Sequence, residues 1–283
     1  MIKFKNLTKK YGKTTAIDNI SLDISENGLY CLLGRNGAGK TTLMKLLAGH
    51  IPATDGEIFA DGKRVSPSHM PESVSFIESG STQFNMKVSA LINAAAEFRD
   101  GFDRGFALEM MDRLELNPDK KFRQLSFGMK TMLTTIINLA NNSKTILLDE
   151  PTLGFDAVMR EQFNNLLLES YQSHPRLIIV STHLIDEIAK VTERLIIIDK
   201  GKILMETGID EIDEKAYTLT GAKSAVLPLL DGLNCIGKTV MGSVMAAHIY
   251  DKRIAPPQGV NIDRISLQDF FINMVGGGKH NEK

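Results

Sequence analysis

Two stretches of this chain carry residue types that can do phosphate chemistry. Gly34-Arg35-Asn36-Gly37-Ala38-Gly39-Lys40-Thr41 matches the pattern GxxxxGK[ST] at every fixed position. Glycines there let successive backbone N–H groups curl around phosphate oxygens, and a helix starting near Lys40 adds its positive dipole end. Lys40 supplies a point charge to the β and γ phosphates, and the Thr41 hydroxyl can ligate magnesium. From an average glycine usage of about 7%, a chance match in a chain of this length is about one in a hundred. The second stretch, Thr145-Ile146-Leu147-Leu148-Asp149-Glu150, is an apolar run ending in two carboxylates. Set beside the strand that enters the glycine loop, its C-terminal end would bring Asp149 to the metal and Glu150 to an attacking water.

Elements to hold these groups are written around them. Ile2 to Leu7, Ile20 to Ile24 and Leu29 to Leu33 read as strands, with Tyr11-Gly12-Lys13 and Glu26-Asn27-Gly28 as turns between them. After the glycine loop, Lys40 to Ala48 reads as a helix with apolar Leu43, Leu46 and Leu47, stopped before Pro52. Gly56 to Val65 has the pattern of two short strands around an Asp61-Gly62 turn. From about 88 to 141 the apolar spacing is helical, as in Val88-Leu91-Ile92-Ala95 and Met132-Leu133-Ile136-Ile137-Ala140. Thr145 to Leu148, Leu177 to Val180 and Leu195 to Ile198 are all-apolar runs, expected of strands covered on both faces of a parallel sheet. A turn at Asp199-Lys200-Gly201-Lys202 closes this α/β part, which spans 1–208. In 209–283, strands are expected at Tyr217 to Leu219, Cys235 to Val240 and Val244 to Tyr250. Helices are expected at Ala222 to Leu230 and Ser266 to Met274, then a frayed tail from Gly276 to His280. This is a small α+β appendage.

Composition narrows the function. The 283 residues are 43% apolar and 24% charged, the balance of a folded chain with room for one large domain or two. A net charge of −1 supplies no general basic field for nucleic acid, so no nucleic-acid partner is expected. Cys31 and Cys235 are too few for a disulfide framework or a metal cluster, and the N-terminus lacks the apolar stretch of a secretory signal, so an intracellular chain is expected. The apolar runs fall far short of the roughly 18 to 20 residues of a membrane-spanning helix, so direct insertion is not expected.

Between the two phosphate motifs lies Leu125-Ser126-Phe127-Gly128-Met129, which resembles the LSGGQ signature of the ATP-binding subunits of ABC transporters. Pro151-Thr152-Leu153-Gly154-Phe155-Asp156 resembles the loop after that family's catalytic glutamate, with Asp156 as its acidic residue. Ser181-Thr182-His183 resembles its switch-histidine segment. The resemblance runs from about Ile2 to Glu206 and rests on five elements in the right order. It implies an α/β P-loop NTPase of ABC ATPase type, with an N-terminal antiparallel β subdomain and a helical signature subdomain at about 88–141. ATP would be held by Gly34, Arg35, Asn36, Gly37, Ala38, Gly39, Lys40, Thr41 and Thr42, with Tyr11 stacked on adenine. Magnesium would be held by Thr41 and Asp149. Catalysis would fall to Glu150, Lys40 and His183, whose imidazole can donate to a γ-phosphate oxygen. Ser126, Phe127, Gly128 and Met129 would act on the nucleotide of a second ATP-binding subunit, identical or not. A transmembrane permease would anchor the chain at the inner face of the cell membrane, and the segment Ile265 to Phe271 is similar to the closing helix of drug-export members.

The sequence departs from the family at Phe127, where glycine is usual, and at Met129, where glutamine is usual. The family's metal-contacting glutamine falls on Glu78, Ser79 or Gln83. A soluble ABC ATPase without a permease, and a weakly hydrolysing nucleotide sensor, are the alternatives.

Overall fold

A computed structural model describes residues 1–80, 84–183 and 185–276, apart from the side chains of residues 186 and 187. Gln83 and the tail residues Gly277 to His280 lie outside the described residues. The chain divides into two units, Met1–Met205 and Glu206–Lys283.

The first unit opens with β1 (Ile2–Tyr11), β2 (Thr14–Ile24) and β3 (Gly28–Leu33), then α1 (Lys40–Leu47), β4 (Asp55–Ala60), β5 (Lys63–Arg64) and β6 (Val74–Glu78). Helices α2 (Val88–Phe98), α3 (Arg104–Arg113) and α4 (Phe127–Leu139) follow, with a 3₁₀ turn at Phe122–Gln124. Then come β7 (Thr145–Asp149), α5 (Ala157–Ser173), β8 (Leu177–Thr182), α6 (Ile185–Ile188), β9 (Arg194–Asp199) and β10 (Lys202–Gly208), the last straddling the unit boundary.

Strands β2, β1, β4 and β5 pair antiparallel in that order. The β4–β5 turn has φ of 49° at Asp61 and 77° at Gly62, the left-handed pair that an Asp-Gly hairpin favours. The larger sheet runs β10-β9-β3-β8-β7-β6, and the pairs β9–β3, β3–β8, β8–β7 and β7–β6 are parallel. Every residue of β3, β7 and β8 is buried, which is why those segments read as unbroken apolar runs. Strand β7 does not lie beside β3, as the sequence suggested: β8 runs between them. Strand order in a parallel sheet follows from the crossover connections, which leave no mark in the strands themselves.

Helix α1 covers the sheet with Leu43, Met44, Leu46 and Leu47, packed in one core with Leu32, Leu147, Ile179 and Ile196. At about 1.5–3 kcal/mol for each large apolar side chain buried, this contact fixes the glycine loop against the strand ends. Two helices of this region start with capping chemistry. Asp103 accepts from Phe106 N at 2.9 Å to start α3, and Ser126 accepts from Met129 N at 3.2 Å to start α4.

The second unit holds α7 (Ile209–Lys215), β11 (Ala216–Ala222), α8 (Lys223–Val226), a 3₁₀ turn at Leu227–Leu230, β12 (Cys235–Met241), β13 (Val244–Tyr250), β14 (Val260–Arg264) and α9 (Leu267–Gly276). Its strands form an antiparallel sheet, β12-β13-β11-β14, over a core of Tyr217, Leu219, Val226, Met245, Ala247, Ile249 and Val260. The sequence reading lacks β14 and α7. In β14, polar Asn261 and Asp263 dilute the strand signal, and in α7 the seven residues Ile209-Asp-Glu-Ile-Asp-Glu-Lys215 bury only Ile212.

Candidate active site

The glycine loop is built by close approach. A Cβ on Gly34 would sit 2.6 Å from Ile198 O on β9, and one on Gly39, at φ 112°, would sit 2.6 Å from Ala16 O on β2. Gly37, at φ 79°, faces open space. Packing therefore demands glycine at Gly34 and Gly39, and the left-handed backbone favours it at Gly37 and Gly39. Ala38 N donates to Arg35 O at 3.0 Å, closing the turn around Asn36. No side chain caps α1, so the N–H groups of its first turn, which includes Thr41 and Thr42, remain for an anion.

Lys40 is buried and donates from Nζ to Gly34 O at 2.8 Å, with Glu150 Oε1 at 3.4 Å. Thr41 Oγ1 donates to Asp149 Oδ2 at 2.6 Å, and Ser181 Oγ donates to Asp149 Oδ1 at 2.5 Å. Ser181 also receives the next residue of the loop, since Glu150 N donates to its Oγ at 3.0 Å and to its O at 3.1 Å. Although β8 separates β3 from β7, α1 brings Thr41 to Asp149, and β8 contributes the serine that joins both acids. Glu150 holds φ at 47°, a left-handed backbone costing a residue with a side chain on the order of 1–2 kcal/mol. Its carbonyl accepts from Ser79 Oγ at 2.8 Å, and its Oε2 lies 2.8 Å from His183 Nδ1. Lys40, Thr41, Asp149, Glu150 and His183 thus form one network. Beside it on β3, burial pushes the Cys31 thiol far up, with the Glu150 charge adding to it, so Cys31 is an inert neutral group.

Thr41 and Asp149 form a hard oxygen pair suited to magnesium. Among the described residues no group of three or more His, Cys, Asp or Glu converges to hold a metal unaided. The remaining ligands would be phosphate oxygens and water, as the chemistry of this donor set requires.

Tyr11 ends β1 with its ring 50% exposed, Lys9 Nζ 4.9 Å from the ring centroid. The same hairpin touches Gly39 through Ala16 and Ile17. Among the described residues, no hydrogen bond or ion pair joins Ser126 or Asp156 to Lys40. Ser126 caps α4 and Asp156 caps α5, accepting from Met159 N at 2.8 Å. Gly128 is tightly packed: a Cβ there would meet Met159 Cε at 2.8 Å and Phe155 Cδ1 at 3.4 Å. Phe127 stays 45% exposed and Met129 is half-buried. Of the three positions open for the metal-contacting glutamine, Glu78 is held by Lys45 Nζ at 2.7 Å and Ser79 by the Glu150 backbone, while Gln83 is outside the described residues.

Sequence reasoning named Ser79 as a candidate for the metal-contacting position and Ser181 within the switch-histidine segment, but missed their bonds to Glu150 and Asp149, which follow from their place at the C-terminal ends of apolar strands. It also missed a groove of about 530 Å³ between β6 and the helices, lined by Phe76, Phe84, Met86, Leu91, Phe98 and Ile137. Phe98 is 83% exposed there.

Fold and site define an ATP-binding P-loop ATPase of mixed α/β architecture. The chain belongs to the ABC transporter family: the family model described as "ABC transporter" matches residues 17–153. It is 34% identical over 218 residues to the lantibiotic transport ATP-binding protein SrtF of Streptococcus pyogenes, a match covering 74% of this chain and 92% of the relative. Similarity to the ABC transporter ATP-binding protein YtrB of Bacillus subtilis, 29% identical, covers 98% of this chain and 99% of that one, the second unit included. A dimeric structure of a bacterial ABC transporter cassette superposes with a TM-score of 0.64 at 25% identity, covering 74% of this chain and 99% of that one. No helix among the described residues is long and apolar enough to cross a membrane.

Proposed function

We propose that this chain is the motor subunit of a membrane exporter, hydrolysing ATP within a head-to-tail pair in which each phosphate loop faces the Ser126 turn of the other copy. The single observation that carries the reading is the network linking Lys40, Thr41, Asp149, Ser181, Glu150 and His183 at the mouth of the loop. Within the chain itself Lys40 is held by Gly34 O and Glu150. Arriving phosphates take over that lysine and leave Glu150 free to accept a proton from the attacking water. His183, released from the same carboxylate, donates to the γ-phosphate oxygen on which charge builds. Thr41 and Asp149 would hold the magnesium, which neutralises phosphate charge when bound. Tyr11 offers its exposed ring to the adenine. Ser126 accepts from Met129 N, which leaves its hydroxyl proton for the partner copy's γ phosphate at the start of α4.

Transport is supported by the names of SrtF and YtrB and by the groove of Phe84, Met86 and Phe98, an apolar surface fit to receive a permease loop. That surface favours a permease-bound motor over a soluble ATPase, and it would hold the chain at the inner membrane face. Export rather than import rests on the segment Ile265 to Phe271, similar to the closing helix of drug-export members. The test is co-expression with a candidate permease and purification from detergent-extracted membranes. The chain should co-purify and hydrolyse ATP as a dimer, and full turnover by a strict monomer would refute the shared site.

A further inference from the structure

Phe127 stands at the first turn of α4, where the signature motif of the family has a small residue, and its ring lies across two glycines of other segments. A Cβ on Gly80 would come within 3.2 Å of Phe127 Cε2, and a Cβ on Gly154 within 3.2 Å of Phe127 Cδ1. Both glycines are left-handed, with φ of 77° and 78°, and each turns the side where a Cβ would stand toward the ring. Gly80 follows Ser79, whose Oγ donates to Glu150 O at 2.8 Å and whose N donates to Asp149 O at 3.3 Å. Gly154 follows Leu153, whose N donates to that same Glu150 O at 3.2 Å. One aromatic side chain therefore rests on both segments that grip the Glu150 carbonyl. The adjacent Gly128 fits against Phe155 and Met159, so the α4 start and the loop after Glu150 are packed over two consecutive residues.

The geometry points to Phe127 as a positioning residue: its ring clamps Gly80 and Gly154 and thereby holds Glu150 in its left-handed conformation, tying the signature turn to the catalytic loop of its own chain. The inference rests on the ATPase role proposed for Glu150. It extends that role, because a turn that serves the partner's nucleotide becomes mechanically joined to the carboxylate that serves its own. Toward the nucleotide of its own chain Phe127 acts through the backbone of its neighbours. Because its ring is 45% exposed, removing it leaves the buried core intact.

The experiment compares the full chain with Phe127→Gly, Phe127→Leu and Phe127→Tyr. Amide hydrogen exchange without nucleotide should speed up about tenfold or more across residues 150–156 and 76–80 in Phe127→Gly, and stay near the parent rate in Phe127→Leu and Phe127→Tyr. Steady-state hydrolysis should show kcat lower by about ten- to a hundredfold in Phe127→Gly with KM for ATP unchanged, because the phosphate loop is untouched. The leucine and tyrosine variants should recover most of kcat. Unchanged exchange in Phe127→Gly overturns the clamp, and so does faster exchange with an undiminished kcat. If the parent chain itself lacks ATPase activity, the role given to Glu150 fails, while the exchange comparison still decides whether the ring holds the two loops.

Discussion

Replacing Glu150 with glutamine separates chemistry from electrostatics in one substitution. Lys40 and Glu150 face each other at 3.4 Å with side chains 7% and 22% exposed, and breaking a fully buried ion pair costs about 3–5 kcal/mol. Partial exposure of Glu150 and the bond that Lys40 keeps to Gly34 O reduce this, leaving about 1–2 kcal/mol for Glu150→Gln in the nucleotide-free protein. For a chain of this size that lowers Tm by about 2–8 °C. ATP brings its own negative charge to Lys40 and cancels the deficit. The stabilisation conferred by ATP should therefore be larger in Glu150→Gln than in the parent, again by about 2–8 °C. The assay is thermal unfolding with saturating ATP and a chelator of divalent cations, so that neither protein turns over, followed by steady-state hydrolysis with magnesium. In the second part kcat should fall by about 10²–10⁴ if Glu150 is the base. Equal ATP-induced shifts in both proteins would show that Glu150 does not pair with Lys40 before nucleotide binds, and an undiminished kcat would remove Glu150 from the reaction.

Gly39→Ala should be far more damaging than Gly37→Ala, since a Cβ at Gly39 meets Ala16 O at 2.6 Å while one at Gly37 meets nothing. Gly37→Ala should cost about 1–2 kcal/mol of backbone strain by thermal unfolding, and Gly39→Ala should also abolish ATP binding. Ser181→Ala takes the donor from Asp149 Oδ1, while Glu150 N keeps its bond to the carbonyl of residue 181, and it should cost about 1–3 kcal/mol of stability, which urea unfolding would measure. The chain has no tryptophan, so Tyr11→Trp gives a lone fluorophore whose emission should change on ATP binding, and a flat signal at saturating ATP would separate Tyr11 from the adenine. Burial holds His248 below its usual 6.5, partly offset by Asp269, with Thr218 Oγ1 2.9 Å from Nδ1. The unfolded chain then binds more protons than the folded one as pH drops through 6.5, so the second unit loses stability below that pH. His248→Asn should flatten this dependence between about pH 7.5 and 5.5.

What the sequence made legible was whatever is written in local chemistry. The glycine loop and the acidic end of Thr145–Asp149 each announce themselves in a few adjacent residues, and the structure places them where Thr41 meets Asp149. Wholly buried strands betray themselves as apolar runs, and Asp61-Gly62 as a hairpin. Strand order was hidden, because nothing in Leu147 or Ile179 states which neighbour it pairs with. Ser181 was hidden for the same reason: its two bonds exist only because β8 lies beside β7. Phe127 was visible as a departure from LSGGQ, yet its contacts with Gly80 and Gly154 join residues far apart in the chain. Short elements with sparse apolar content, α7 and β14, stayed below the threshold of pattern.

Strand β8 is sandwiched between two parallel neighbours from Leu177 to Ser181, and its alignment with them is set by Gly28 against Leu177 on one side and Thr145 against Leu177 on the other. A shift of a single residue in that alignment would turn Ser181 to the opposite face. One hydroxyl would then withdraw at once from the Asp149 carboxylate and from the Glu150 backbone N–H. The seat of the Asp149 carboxylate and of the Glu150 backbone is thus not an independent property of their own strand, but is borrowed in part from a neighbour that contributes no charge.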